Sequence, residues 1–240
     1  MSATLVGTSF DGARLERPTL WSAVVPWAEV TWPGVRWRKT ASCLRGAIAL
    51  AMGGEAAHID FHGHIDATTT RQGAPPVSYR VVDGAPVVHL HGPRVHDHLG
   101  ALARLPAFDG AACGAPVLRA GETEAQILGK TWRRYELVSP YFPSHVVYGR
   151  RPRTAGVEQR AWAAQALAVS LTQFADGVGV GGGDHPIHVQ IAEMRTERVA
   201  FKEAKRHGFL AAFVANVVVP PGLALGGHRS VGFGVVQPCL

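Results

Sequence analysis

The spacing of apolar positions changes several times along the chain, and each change predicts an element. In WSAVVPWAEVTWPGVRWRK, two prolines interrupt a run of aromatic and β-branched residues. That pattern predicts a strand, a bend and then a basic loop. Residues 41–52, ASCLRGAIALAM, have the spacing of a short apolar helix. Thr40 or Ser42 is its candidate N-cap, and Gly53-Gly54 ends it. In PPVSYRVVDGAPVVHLHG, two β-rich runs flank Asp83-Gly84, which predicts a hairpin. His89 and His91 alternate with apolar residues there, so they share one strand face. Residues 95–105 form a second helical stretch, and 116–120 and 131–138 read as strands. The N-terminal half therefore runs β-α-β-β-α-β, the ferredoxin-like order.

The second half opens with the turn SPYFP. Residues 157–175, VEQRAWAAQALAVSLTQFA, keep helical apolar spacing without an internal Gly or Pro, and GVGVGGGDHP breaks the helix. Two strands follow, IHVQIAEMRTERVAF and GFLAAFVANVVVP, with the basic KEAKRHG between them as an exposed hairpin tip. A helix followed by paired strands predicts a second α+β half. The expected division is residues 1–130 and 131–240, with no residue-level repeat between the halves. Length agrees, since 240 residues hold one large domain or two small ones.

Composition adds three constraints. No apolar run approaches the roughly 20 residues of a membrane span. The N-terminus lacks the basic-then-apolar layout of a signal peptide, so a cytoplasmic protein without a membrane partner is expected. Cys43, Cys113 and Cys239 are widely spaced and odd in number, which predicts reduced thiols and no C-x-x-C metal site. Cys43 falls in an apolar helical pattern, where a packing role is expected. Residues 1–130 carry 12 Lys+Arg against 11 Asp+Glu, and residues 131–240 carry 12 against 7. The excess gathers at Arg133, Arg134, Arg150, Arg151 and Arg153, and again at Arg195, Arg198, Lys202, Lys205 and Arg206. Clustered cations are the footprint either of a polyanion partner or of a solvated surface.

Two stretches carry candidate chemistry. HIDFHGHID places His58, His62 and His64 close together. They are metal ligands (with Asp60 or Asp66), a general acid–base pair, or surface histidines without chemistry; the stretch alone leaves these open. His89, His91, His96 and His98 are assigned to packing or surface. The second stretch is GLALGGHRSVGFGVV, in which Gly222, Gly226, Gly227, Gly232 and Gly234 surround Arg229 and Ser230. Glycines let backbone N–H groups approach a phosphate. The stretch fits neither G-x-G-x-x-G nor the Walker loop, which argues against a nucleotide pocket. A last β run is expected from Gly232 to Gln237.

The ending VANVVVPPGLALGGHRSVGFGVV resembles the C-terminal signature of the RAMP superfamily of CRISPR proteins. LRGAIALAM, PPVSYRVVDGAPVVHLHG and YELVSPYFP are similar, in the same order, to segments of the CRISPR repeat-RNA-processing endoribonucleases, the sixth Cas family. The resemblance implies an α+β fold of tandem ferredoxin-like (RRM-like) domains with a C-terminal glycine-rich loop. It implies a partner, the CRISPR repeat RNA hairpin, and further partners among the subunits of a CRISPR effector complex. It also implies metal-independent cleavage without a cofactor, by attack of a ribose 2′-OH on the adjacent phosphorus. In one branch of the family an H-x-H pair is catalytic, and His62 and His64 match it. Arg38 is expected beside them to steady the phosphate charge. Arg36, Lys39, Arg45, Arg150, Arg151, Arg153, Lys202, Lys205, Arg206, Gly226, Gly227, His228, Arg229 and Ser230 are the expected RNA contacts. A non-catalytic RAMP subunit that binds guide RNA is the alternative reading, and a metal-dependent hydrolase a third.

Overall fold

The apolar runs of period two become strands, and the runs of helical period become the helices packed across them. A computed structural model describes residues 22–52, 60–61, 75–105, 107–108, 111–112, 114–143, 156–181, 185–201 and 204–239. Its first unit runs β1 (Ser22–Thr31), α1 (Ala41–Ala51), β2 (Val77–Val82), β3 (Ala85–His91), α2 (Val95–Ala103), the short pair β4 (Ala107–Phe108) and β5 (Ala111–Ala112), then β6 (Val117–Ile127). The second runs β7 (Arg133–Leu137), α3 (Val157–Gly177), β8 (Val189–Phe201), β9 (Ala204–Ala215), β10 (Val217–Val218) and β11 (Val236–Pro238).

The first sheet has the order β10-β6-β1-β3-β2 and the second the order β11-β7-β9-β8. Numbered within each unit and leaving β10 aside, both orders are 4-1-3-2, the ferredoxin-like arrangement. The described pairings in both sheets are antiparallel. In the second unit no helix stands between the third and fourth strands. The glycine-rich loop, with a 3-10 turn at Arg229–Val231, occupies that place.

Local signals explain the elements. Thr40 caps α1, its Oγ1 accepting from the Cys43 amide at 3.3 Å. Asp83 and Gly84 both take positive φ in the β2–β3 turn, as a two-residue hairpin requires. On one face of α3, Trp162, Ala163, Ala166, Leu167, Leu171 and Phe174 pack against Phe209 and Phe213 of the second sheet. Each large side chain buried there contributes about 1.5–3 kcal/mol. Val25 of β1 and Ala125 of β6 join the same core, so the two units share it. A separate core beneath α1 and α2 holds Val30, Trp32, Leu44, Ile48, Tyr79 and Leu90.

Three expectations change. The hairpin tip is narrower than KEAKRHG: β8 runs to Phe201 and β9 begins at Ala204, so Lys205, Arg206 and His207 lie within a two-stranded ribbon. Antiparallel pairing satisfies the backbone whether or not the side chains are apolar. The final strand is shorter than Gly232–Gln237, because Gly232 and Gly234 turn with positive φ before Val236 enters β11. The SPYFP turn is anchored, with Tyr141 and Phe142 buried and bridged to Phe209 and Gly227. Cys43 is exposed on α1 rather than packed. No helix among the described residues is long and apolar enough to cross a membrane.

Candidate nucleic-acid interface

The glycine-rich loop lies against both units. Its Gly227 amide donates to the Phe142 carbonyl of the second unit at 2.6 Å, and the adjacent Gly226 is partly buried beside Tyr141. On the other side it meets the first unit. Gly232 has φ +85°, and a methyl group placed there would sit 2.5 Å from the Tyr79 carbonyl oxygen of β2. A side chain at this position would push the loop off β2. Gly222 likewise backs onto the His89 ring of β3, where a methyl group would lie 2.7 Å from Cδ2.

This seating brings two of the predicted contacts together. Arg45 of α1 donates from Nη1 to Ser230 Oγ at 3.1 Å, although the two residues are 185 positions apart. Arg229, the preceding residue, is partly buried, and burial lowers the pKa of its guanidinium while Tyr141 opposes that shift. His228 takes a left-handed backbone, and its ring packs on Phe142 with centroids 6.0 Å apart. Arg80, Arg94, Arg119 and Arg195 each pair with a carboxylate. Among the described residues, Arg45 and Arg229 pair with none. An unbalanced guanidinium beside a hydroxyl, as Arg45 is beside Ser230, suits an anion.

The remaining predicted residues are placed elsewhere. Arg36, Arg38 and Lys39 are exposed on the loop into α1, which buried Val35 and Trp37 anchor. The Trp37 amide donates to the Gly84 carbonyl at 2.8 Å, so this basic loop sits beside the β2–β3 turn. Arg38 makes no hydrogen bond or ion pair with another described residue, and Lys39 Nζ lies 5.8 Å from the Trp37 ring centroid. On the ribbon, Arg198 stands opposite His207 and Ala200 opposite Lys205. Alternation therefore puts Arg198, Lys205 and His207 on one face, the face that packs at its base on Gln159 and Trp162 of α3. Arg206 points to the other. His58, His62 and His64 lie outside the described residues, as do Arg150, Arg151, Arg153 and Lys202.

Some residues of the interface carry no signal in the sequence. Asp60 is buried, with its Oδ2 accepting from Arg94 Nη1 at 2.9 Å and lying 2.9 Å from His98 Nε2. That occupies the carboxylate considered as a metal ligand. Among the described residues, no three His, Cys, Asp or Glu side chains gather as a metal site. Tyr79, also buried, donates from its hydroxyl to the Phe61 carbonyl at 2.8 Å. These partners lie between 18 and 38 positions apart, beyond the reach of any local pattern. His89 and His91 are both buried where the units meet, His91 against Phe174 of α3 at 6.2 Å. Burial, with Arg229 and His98 adding to it, lowers the His91 pKa to about 4. Burial also holds His89 well below its ordinary value, helped by His91 and Arg80.

Residues 128–239 match the family model of the Cas6b C-terminal domain. The second unit is similar to that domain over nearly all of its length. Solved structures extend the likeness beyond that domain. The chain is similar to a crystal structure of Cas6b, with TM-score 0.77 and 15% identity over 90% of this chain and 100% of that one. It is similar to a CRISPR RNA processing endoribonuclease Cas6b with TM-score 0.70 and 16% identity, over 90% of this chain and all (100%) of the other. It is also similar to Csf5, a type IV Cas6 crRNA endonuclease, with TM-score 0.53 and 15% identity, over 91% of this chain and 100% of that one. At such identities the structures establish a common fold. No curated protein matches the chain as a relative. The matched residues supply the glycine-rich loop and the ribbon, and the first unit supplies Arg45 and the basic loop before α1.

Proposed function

We propose that this chain is a cytoplasmic endoribonuclease that cuts CRISPR precursor RNA within each repeat and keeps hold of the processed guide RNA. One observation carries the reading: Arg45 of the first unit holds Ser230 of the glycine-rich loop, with no described carboxylate to balance its charge. Such a site is preorganised for a phosphate. The names of the similar structures supply the substrate class. We place the boundary between the two units near residue 130, so that the phosphate site draws on both.

The proposed step needs no cofactor. The 2′-oxygen forms a bond to the adjacent phosphorus as the bond from phosphorus to the 5′-oxygen breaks. The products are a 2′,3′-cyclic phosphate and a 5′-OH. One imidazole takes the 2′-OH proton and a second gives a proton to the leaving 5′-oxygen. We assign these roles to His62 and His64, one each. Acid–base help of this kind contributes about 10²- to 10⁴-fold, so charge stabilisation and in-line positioning must supply more. Arg45 is the described cation best seated for that. Arg38 is a candidate contact on the basic loop, with Arg36 and Lys39 beside it. The ribbon and the Arg150, Arg151 and Arg153 cluster hold the product. Subunits of an effector complex are the further partners we expect.

The test is incubation of the full chain with its repeat RNA in EDTA, beside the His62→Ala/His64→Ala double variant. The expected result is cleavage by the wild type and none by the variant. Cleavage by both would move catalysis to other residues. Binding without cleavage by the wild type would favour a structural guide-RNA subunit, and cleavage abolished by EDTA a metal-dependent hydrolase.

A further inference from the structure

A buried carboxylate and a buried phenol hold the two residues that precede His62. Asp60 is 4% exposed, and two groups that bind it, His98 and Arg94, belong to α2 or its N-cap. With a carboxylate as partner, His98 Nε2 carries the proton, and its Nδ1 has no hydrogen-bond partner. The Phe61 ring stands edge-on to His98 with centroids 5.2 Å apart. From the sheet side, the Tyr79 hydroxyl holds the Phe61 carbonyl. Burial pushes the Tyr79 phenol far above its ordinary range against the pull of Arg45, so the hydroxyl remains a donor.

Packing does not require this arrangement. The core beneath α1 and α2 is otherwise apolar, and a buried charged network is seldom a net source of stability. What the network fixes is a backbone. The carbonyl gripped by Tyr79 belongs to the peptide group that joins Phe61 to His62, and a peptide group is planar. The carbonyl of Tyr79 itself is the one that Gly232 approaches. One residue of β2 therefore touches both the backbone leading into His62 and the glycine-rich loop.

We infer that Tyr79 and Asp60 are positioning residues for cleavage, fixing the peptide group that leads into His62 relative to the glycine-rich loop. The inference rests on the proposed role of His62. Tyr79→Phe removes one hydroxyl and keeps the ring; Asp60→Asn keeps the shape and removes the charge. A catalytic group misplaced by about 1 Å costs on the order of a hundredfold in rate.

The experiment measures single-turnover cleavage of a transcript of one repeat at saturating protein, alongside the Kd for the same RNA. Each variant is expected to cut about ten- to a hundredfold more slowly while its Kd stays within about twofold of the wild type. In a His62→Ala background, the same substitutions should leave the residual rate unchanged, because they act through His62. Thermal melting verifies folding, and Asp60→Asn carries the test where Tyr79→Phe does not fold. Wild-type rates in folded variants, an equal loss of rate and affinity, or an undiminished effect in the His62→Ala background each overturn the inference. Loss of cleavage in His62→Ala with full activity in Tyr79→Phe overturns it alone. Full activity in His62→Ala overturns the reading beneath it as well.

Discussion

Glycines at single positions set how closely the loop approaches the sheets, and two substitutions separate close approach from simple chain freedom. Gly232 combines φ +85° with the Tyr79 carbonyl in its path. Gly232→Ala should therefore destabilise the fold by about 1–3 kcal/mol. Gly46 lies inside α1 with nothing within 4 Å of an added methyl group. Gly46→Ala should stabilise by about 0.5–1 kcal/mol, since Ala restricts the unfolded chain and favours the helix. Urea denaturation measures both, and equal signs would contradict this account. The crowding of glycines around Arg229 was visible in the sequence as a loop. Which glycine meets which backbone was not, because Tyr79, His89 and Phe142 arrive from distant segments. For the same reason Arg229 and Ser230 could be named as contacts, whereas the pairing of Ser230 with Arg45 could not.

The ribbon shows what an element adds to its residues. The apolar spacing marked β8 and the inner part of β9, yet the whole of the polar KEAKRHG read as the hairpin tip. Its outer part is solvated, so hydrophobic alternation is weak there, and backbone pairing alone carries the register. Pairing places Arg198, Lys205 and His207 on a common face. Arg198→Glu/Lys205→Glu should weaken binding to repeat RNA and flatten its salt dependence. The slope of log K against log salt should drop by about one for each phosphate that the ribbon no longer neutralises. A wild-type slope would exclude this face from the interface. The helices were more legible than the ribbon. Thr40 and the spacing of α3 are local signals, and local signals survive in a bare sequence.

At the scale of the molecule, the β-α-β-β-α-β succession of the first unit was legible, but the joint between the units was not. Alternation placed His89 and His91 on one face, and only the fold shows that α3 and the glycine-rich loop bury that face. Both rings are held neutral in the folded chain, with His91 at about 4, whereas the ordinary value is 6.5. Between those values the unfolded chain binds more protons than the folded one. Stability should therefore be complete above pH 6.5 and fall as the pH drops toward about 4. His91 alone accounts for on the order of 3 kcal/mol of that loss. Arg80, Arg229 and His98 face these rings and sharpen the effect. Melting curves across this range should show a smaller loss in His91→Gln than in the wild type, and parallel curves would rule the ring out. The shared core has a further consequence, in time. The outer strand of the first sheet, β10, comes from residues Val217–Val218, and Val25 and Ala125 are covered only when α3 arrives. A ribosome releases the first unit with its edge open and its underside bare. The chain completes that sheet only after Val217–Val218 have been made, so the two halves become native together rather than in succession.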